Sequence, residues 1–442
     1  METRTNGNFW SANRITIKGI IVGFLILALM IPTLFVMQLV QERSSRKNEV
    51  ANEISSKWAS AQTVVGPFMV IPYLEYRDTD GKITSTRKLA YFLPDQVAIN
   101  GVLYPEFRHR SIYEIVVYNS EINISGNFPA VNPESVNIAS KDLLLNEAYI
   151  CVGLSDFRGI QDQLILKWND SNFVFNAGAI NEIVTNGLGA ALPTAELISG
   201  KPQEFSLKLH LKGSEKLYFT PVGKTTSVHL ASTWPNPSFE GSFLPVNSEL
   251  ANNKGFTADW KVLHLNRNYP QSWKDAKYDV AESGFGINLL QPVDSYSQTM
   301  RSVKYAILFI ALSFALYFFI EIRQKKIIHP VQYVLMGLAL CIFYTLLLSI
   351  SEYLHFGYAY FISATATILL ITLYSKTLFS TWKIAILFGA SLSILYGFIF
   401  VLIQLQDNAL LFGSIGLFGL LAVVMYYSKK IDWYGDQARI NI

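Results

Sequence analysis

The sequence predicts an α-helical membrane protein with six transmembrane helices and a large periplasmic all-β, sandwich-like domain inserted between helices 1 and 2. Three observations predict it. Only 16% of the 442 residues are charged and 51% are hydrophobic, whereas a soluble globular chain is about 25% charged. The apolar residues concentrate in one run near the N-terminus and in the last third of the chain. Between these lie short branched or aromatic runs punctuated by Gly, Pro, Asn and Asp, which is how strands and turns are written.

The first span is Gly19–Val40, 22 residues without a charge. At 1.5 Å per residue it reaches about 33 Å, enough for the roughly 30 Å hydrocarbon core. A cleaved signal peptide has a shorter apolar region and small residues at its cleavage site. Here Leu39, Val40 and Gln41 follow, so the segment reads as an uncleaved anchor. Five more spans fit: Tyr305–Ile320, Val331–Ile350, Phe356–Ser375, Ile384–Ile403 and Ala409–Tyr427. Tyr305–Ile320 covers only about 24 Å and relies on Lys304 and Glu321 snorkelling to the two interfaces. Tyr353, Tyr358, Trp382 and Trp433 stand near span ends, as an aromatic belt requires. The resulting domains are 1–40, 41–304 and 305–442.

Orientation follows from the short loops. Arg4, Arg14, Lys18, Arg323, Lys325, Lys326, Lys376, Lys383, Lys429, Lys430 and Arg439 fall on one side, while Ser351–His355 and Gln404–Asn408 hold no Lys or Arg. The positive-inside rule then puts both termini in the cytoplasm and the insert in the periplasm. Arg43, Arg46, Lys47, Arg301 and Lys304 count the other way, but they flank a long translocated domain.

Within the insert, Val50, Ile54 and Trp58 recur at helical spacing with Glu53 and Lys57 paired on another face, so Gln41–Ala61 continues the first helix. Strand-like runs follow at Val64–Tyr76, Arg87–Leu93, Ser111–Val117, Glu121–Phe128, Phe205–Leu211, Thr225–Thr233, Thr257–Leu263 and Gly284–Leu290. Phe205–Lys212 alternates strictly between apolar and polar, with one face buried. An antiparallel sandwich, or two small ones in tandem, accommodates these runs.

Chemistry is thinly signalled. A net charge of +3 is too small for a polyanion-binding footprint, so nucleic acid is not expected as a partner. Cys151 and Cys341 fall in different domains, and Cys151 reads as a buried strand residue. No two of the six histidines are closely spaced and no HExxH occurs, so no metal site is legible. Gly223-Lys-Thr225 lacks the first glycine of a phosphate loop, and no G-x-S-x-G is present. The spans carry no charge in their interiors, which disfavours an ion-coupled transporter. Glu352 and His355 are the nearest approach to a titrating pair, and solvated interface residues are the plainer reading. Gly389, Ser393 and Gly397 form a stripe for close helix packing. Thr365, Thr367 and Thr372 bond across helices or line a polar path. Asp156 and Arg158 offer either a ligand contact or a turn with a local ion pair. Pro235 and Pro237 stiffen the chain around Trp234, so that Trp234 to Phe239 forms a docking surface or a crossover between sheets.

These segments also carry a likeness. The chain resembles the CreD family of bacterial inner-membrane proteins, through Val65-Gly-Pro-Phe-Met-Val-Ile-Pro72, Tyr91-Phe-Leu-Pro94, Asp156-Phe-Arg-Gly159, Ser232-Thr-Trp-Pro-Asn-Pro-Ser-Phe239, Phe243-Leu-Pro245, Gln291-Pro-Val-Asp-Ser-Tyr296, His329-Pro-Val-Gln-Tyr333, Asp407-Asn-Ala-Leu-Leu411 and Ile431-Asp-Trp-Tyr434. The resemblance implies an anchor, a periplasmic domain and five further helices, with a role in envelope integrity linked to envelope stress and colicin tolerance. It brings no catalytic or ligand residues.

The reading is therefore a non-enzymatic inner-membrane protein with no cofactor. Its partners are membrane lipid and an unidentified envelope protein or lipid, met through a periplasmic surface that includes Asp156, Arg158, Trp234 and Phe239. The sequence does not fix an oligomeric state. A transporter or lipid-handling protein using the five-helix bundle, and an anchored periplasmic hydrolase, are the alternatives.

Overall fold

The computed structural model describes residues 14–79, 82–194, 197, 201–250, 254–275, 278–289, 294–324, 326–379, 381–405 and 408–429. Arg4, Lys325, Lys430 and Arg439 of the basic count, Asp407, Trp433 and the motif segments at 291–293 and 431–434 lie outside the described residues. The chain divides into two compact units: Asn48–Pro292, and Met1–Lys47 with Val293–Ile442. Packing sets these limits, whereas 40 and 305 mark the ends of apolar runs.

The helical unit opens with α1 (Arg14–Ala28), which leads directly into α2 (Met30–Trp58), one helical run from Thr16 to Trp58 whose residues from Asn48 onward belong to the other unit. The expected continuation of the first helix is thus present. A short helix not anticipated from the sequence, α3 (Ser295–Lys304), follows. Asp294 caps it by accepting from the Ser297 N–H at 3.3 Å and the Ser297 hydroxyl at 3.1 Å. Tyr296, Thr299 and Val303 share its buried face. The main-chain helices are α4 (Ala306–Gln324), α5 (Pro330–Ser351), α6 (Phe356–Phe379), α7 (Trp382–Gln404) and α8 (Ala409–Ser428). Thr16–Trp58 and α4 to α7 are five helices long and apolar enough to cross a membrane, and α8 coincides with the last expected span.

Two details of the helical expectation are corrected. The second span is not a 16-residue stub, because α4 begins at Ala306, after a break at Tyr305, and runs 19 residues to Gln324. That is about 28 Å, close to the hydrocarbon thickness. Glu321 consequently lies inside the helix and is only 4% exposed, so it does not snorkel to water. His329, by contrast, starts α5 as expected: its Nδ1 accepts from the Val331 N–H at 3.3 Å and Gln332 caps back onto the His329 N–H at 3.1 Å.

The other unit is β-rich and contains two sheets. The nine-stranded sheet runs in the order β13 (Pro237–Gly241), β17 (Phe285–Leu289), β11 (Lys216–Thr220), β1 (Gln62–Thr79), β5 (Tyr149–Leu154), β9 (Gly187–Ala191), β8 (Asn176–Ala177). From it branch β2 (Lys82–Phe92), paired with β1, and β16 (Ser272–Lys274), paired with β2. The eight-stranded sheet runs β14 (Asn247–Leu250), β15 (Phe256–Leu263), β12 (Thr225–Ser232), β3 (Gln96–Arg110), β4 (Tyr113–Phe128), β10 (Gln203–Ser214), β6 (Ile165–Trp168), β7 (Ser171–Val174).

Alternation along β10 and along β3 as far as Leu103 sends every second side chain inward. One continuous apolar core includes Phe68, Ile150, Phe219 and Phe285 from the first sheet and Ile99, Ile124, Leu209 and Trp260 from the second. Trp260 meets Phe285 at 5.9 Å between ring centres, and Phe239 meets Phe256 at 5.9 Å. The unit is therefore one sandwich-like body, not two in tandem. It is also not wholly antiparallel, since β1 pairs with β11 and β12 with β3 in parallel. Ser111 and Ile112 form the turn after β3, while Tyr113–Val117 and Glu121–Phe128 fall in a single strand, β4, interrupted by no turn.

Candidate functional site

Asp156 and Arg158 are brought together, and the contacts they make are architectural. Asp156 starts a single turn, Phe157–Gly159, by accepting from the Arg158 N–H at 3.0 Å. Its carboxylate also takes the Arg158 guanidinium at 2.9 Å and both the N–H and hydroxyl of Ser60, at 3.0 and 2.9 Å. Gln62 donates to the Asp156 carbonyl at 2.9 Å, and Arg158 reaches the Ser56 carbonyl. The motif thus ties the last turn of α2 to the end of β5. Its glycine has a steric cause: a Cβ on Gly159 would collide with the Lys212 carbonyl and the Gln62 side chain. Burial alone would raise the Asp156 carboxyl, but Arg158 and Ser60 outweigh it and hold the group well below the usual carboxylate range. The same end of α2 is gripped by a Glu53–Arg110 ion pair, and the Trp58 ring lies under Arg108 at 4.5 Å and Lys212 at 4.6 Å.

Trp234 and Phe239 do not form the exposed surface expected of them. Trp234 is 6% exposed, packs on Phe107 at 5.4 Å and donates from Nε1 to the Asn236 carbonyl at 3.1 Å. Phe239, in β13, is half-buried against Trp260 at 5.7 Å. The two prolines turn the chain from the end of β12 into β13, so the crossover reading is the correct one. Beside it, Glu240 accepts from Tyr218 at 2.7 Å, Asn288 at 3.0 Å and Lys216 at 3.1 Å. Burial works against its charge, yet these donors bring its carboxyl down to about 2. Cys151 is a buried β5 residue as expected, with its thiol pushed up to about 12 by burial.

The surface that sequence reasoning missed is the edge of the eight-stranded sheet. Along β14 and the residues before it, Leu244, Val246 and Leu250 are 70%, 68% and 61% exposed. Pairing with β15 on one side fixes the strand, through Asn247–Asp259 to Leu250–Phe256, and its other side has no strand partner among the described residues. Exposed apolar residues on a strand edge are a recognised place for another chain to add. The only signal in the sequence was Phe243-Leu-Pro245, whose composition does not distinguish a buried loop from an open one.

In the helical unit, the polar residues singled out do not converge. Thr365 is exposed, Thr367 is buried and donates to Ser363 O at 2.9 Å within its own helix, and Thr372 is half-buried. Of the small-residue stripe, Gly389 packs against Thr372, while Gly397 has no neighbour among the described residues where a Cβ would stand. His355 caps α6, accepting from the Gly357 N–H at 3.3 Å, and Glu352 accepts from Tyr296 at 3.2 Å with Arg43 at 3.9 Å. The two therefore serve different local ends. The polar cluster that does form is Glu321 with Lys18: the ammonium pairs with Oε1 and also donates to the Ile328 carbonyl at 2.8 Å. Glu321 further accepts from the Ile328 N–H at 2.9 Å and from Tyr333 at 2.7 Å. It locks α1, α4 and α5 together. Among the described residues no group of three or more His, Cys, Asp or Glu side chains is placed to hold a metal.

Two outcomes are expected. Asp156 and Glu240 have folded pKa values below their unfolded values of about 3.9 and 4.3, so their contribution is complete above those values and lost as pH falls through the folded ones. The melting temperature of the isolated 48–292 unit should be flat from neutral pH to about 5 and fall below about 4. Asp156→Asn should lower the unit's stability at neutral pH by about 2 kcal/mol and flatten the acid limb, and an unchanged limb would count against the clamp. In the full chain, Lys18→Met leaves a buried carboxylate unpaired and should cost about 3–5 kcal/mol in a detergent melt. Adding Glu321→Gln should recover most of that loss, whereas additive losses would show that the two side chains are not coupled.

The family model described as inner membrane protein CreD matches residues 14–434. The chain is 29% identical over 415 residues, 92% of its length and 91% of the relative's, to the inner membrane protein CreD of Escherichia coli (strain K12). With five apolar helices able to cross a bilayer, the matches mark a multi-pass protein of the inner membrane. A family match that runs from α1 past the end of α8 spans both compact units, and on that extent the chain belongs to the CreD family.

Proposed function

We propose that this protein supports cell-envelope integrity without catalysis, by binding another envelope component through its β-rich unit. That unit is periplasmic in this reading, the chain crosses the inner membrane six times, and both termini are cytoplasmic. The observation that carries the binding role is the open edge at β14, with Leu244, Val246 and Leu250 exposed. An unpaired strand edge supplies backbone donors and acceptors, and the apolar side chains supply the desolvation that makes strand addition favourable. Orientation is supported by how charge is distributed in the helical unit. Lys326 donates to the Leu378 carbonyl at 3.3 Å and Lys376 lies over Trp382 at 5.1 Å, so the lysine-rich loops share one end of the bundle. The positive-inside rule makes that end cytoplasmic.

Alkaline phosphatase fused after residue 200 or 354 should be active, and after residue 326 inactive; activity at 326 would reverse the orientation. For the binding role, Val246→Asp with Leu250→Ser should raise detergent and β-lactam sensitivity in a strain lacking the native copy, at matched protein levels. Valine at Thr365, Thr367 and Thr372 should complement fully. Failure of the threonine variant with complementation by the edge variant would replace binding with a passage through the helices. Trp234→Ala is a poor probe of either, since loss of a buried tryptophan costs about 3–5 kcal/mol on its own.

A further inference from the structure

We propose that the helical unit holds an anionic phospholipid, with one acyl chain in a groove between α4, α7 and α8 and its headgroup phosphate on Lys304. The groove encloses about 380 Å³ and is lined by Leu308, Ala311, Leu402, Gly413 and Leu417, with Lys304 at one end. The wall is apolar and belongs to helices long enough to span a bilayer, so the medium outside it is lipid.

Two features select the occupant. The first is charge. At this end of the unit Arg43 has Glu352 and Lys47 has Asp294, whereas among the described residues no carboxylate pairs with Lys304, which is exposed. A cation at the edge of the hydrocarbon without a protein counter-ion is complementary to a lipid phosphate, and more so to a headgroup of net negative charge. The second is the shape of α8. Gly416 is explained by protein, because a Cβ there would strike the Phe398 ring of α7. Gly413, one turn earlier, meets nothing within 4 Å at its Cβ position among the described residues. Glycine costs a helix about 1 kcal/mol relative to alanine, and at 413 no neighbour among the described residues demands it. Unlike Gly397 and Gly419, which are also open at this position, Gly413 lies in the groove wall, and its missing side chain leaves the groove open there.

The full chain, purified in detergent, is incubated with phosphatidylglycerol or with phosphatidylcholine of the same acyl chains and examined by native mass spectrometry. Wild type should retain one phosphatidylglycerol in preference to phosphatidylcholine. Lys304→Gln should lower that retention about fivefold and reduce the preference between headgroups. Gly413→Phe should abolish retention of both lipids, with Gly419→Phe, also open at its Cβ position and outside the groove, as the control. Lys304→Gln removes no packing, so it tests the site even if the phenylalanine variant misfolds. Equal retention of the two lipids by wild type, retention unaffected by Lys304→Gln, or equal losses at 413 and 419 would overturn the assignment. A dimer that Gly413→Phe dissociates would do so as well, since the groove would then belong to a second copy.

Discussion

Strand β1 is the member on which the β-rich unit depends. It pairs with β11 in parallel over Gln62–Val65, then with β2 antiparallel over Met69–Thr79, while β5 runs along its other edge. One strand can serve two partners on one side only if its ladder is broken between them. Gly66 and Pro67 make the break: Gly66 sits at φ +110, where a Cβ would come within 2.8 Å of the Cys151 carbonyl, and Pro67 has no N–H to donate. The register against β5 shifts at this point, between Val65 and Phe68. Phe68, immediately after, is then delivered fully buried into the core. The rest of the nine-stranded sheet is assembled outward from that switch.

In the helical unit the ruling constraint is different. Hydrocarbon supplies no hydrogen bonds, so polar groups must find partners inside the protein. Lys18 and Glu321 meet it by pairing with each other and using the freed carbonyl and N–H of Ile328, just before α5 begins, along with the Tyr333 hydroxyl. A buried pair of this kind adds little net stability compared with an apolar replacement. What it does supply is a single arrangement of α1 against α4 and α5, because any other register would strand a charge. Thr367 and Ser393 use the cheaper solution of donating to a carbonyl four residues back in their own helices.

The sequence made the class of each unit legible because two periodicities differ sharply: long unbroken apolar runs for the helices, and alternation in runs such as Phe205–Lys212 for the strands. It missed what depends on partners distant in sequence. The parallel pairs β1–β11 and β3–β12 join segments with long stretches of chain between them, and no local pattern distinguishes them from antiparallel pairs. The 16-residue strand β4 was read as two because Tyr118–Ser120 is less apolar than its flanks, although β3 and β10 pair along both sides of it. Glu321 looked like a span end because charge ordinarily ends a span, and its partner Lys18 lies some 303 residues away.

The candidate site shows the same limit in sharper form. Asp156, Arg158, Trp234 and Phe239 drew attention because charged and aromatic side chains can hold a ligand, but the same side chains are also recruited to hold a fold. Here each has its interactions inside the β-rich unit: a carboxylate and guanidinium spent on the end of α2, a tryptophan on Phe107, a phenylalanine on Trp260. The surfaces left open are built from common residues, Leu244, Val246 and Leu250 at a strand edge and Gly413 in a helix wall. Leucine and valine in a strand, and glycine in a membrane helix, are what burial and packing also require, so only their exposure sets them apart. Exposure depends on which neighbours fail to arrive, and that is a property of the assembled sheets and helices that no stretch of the chain carries by itself.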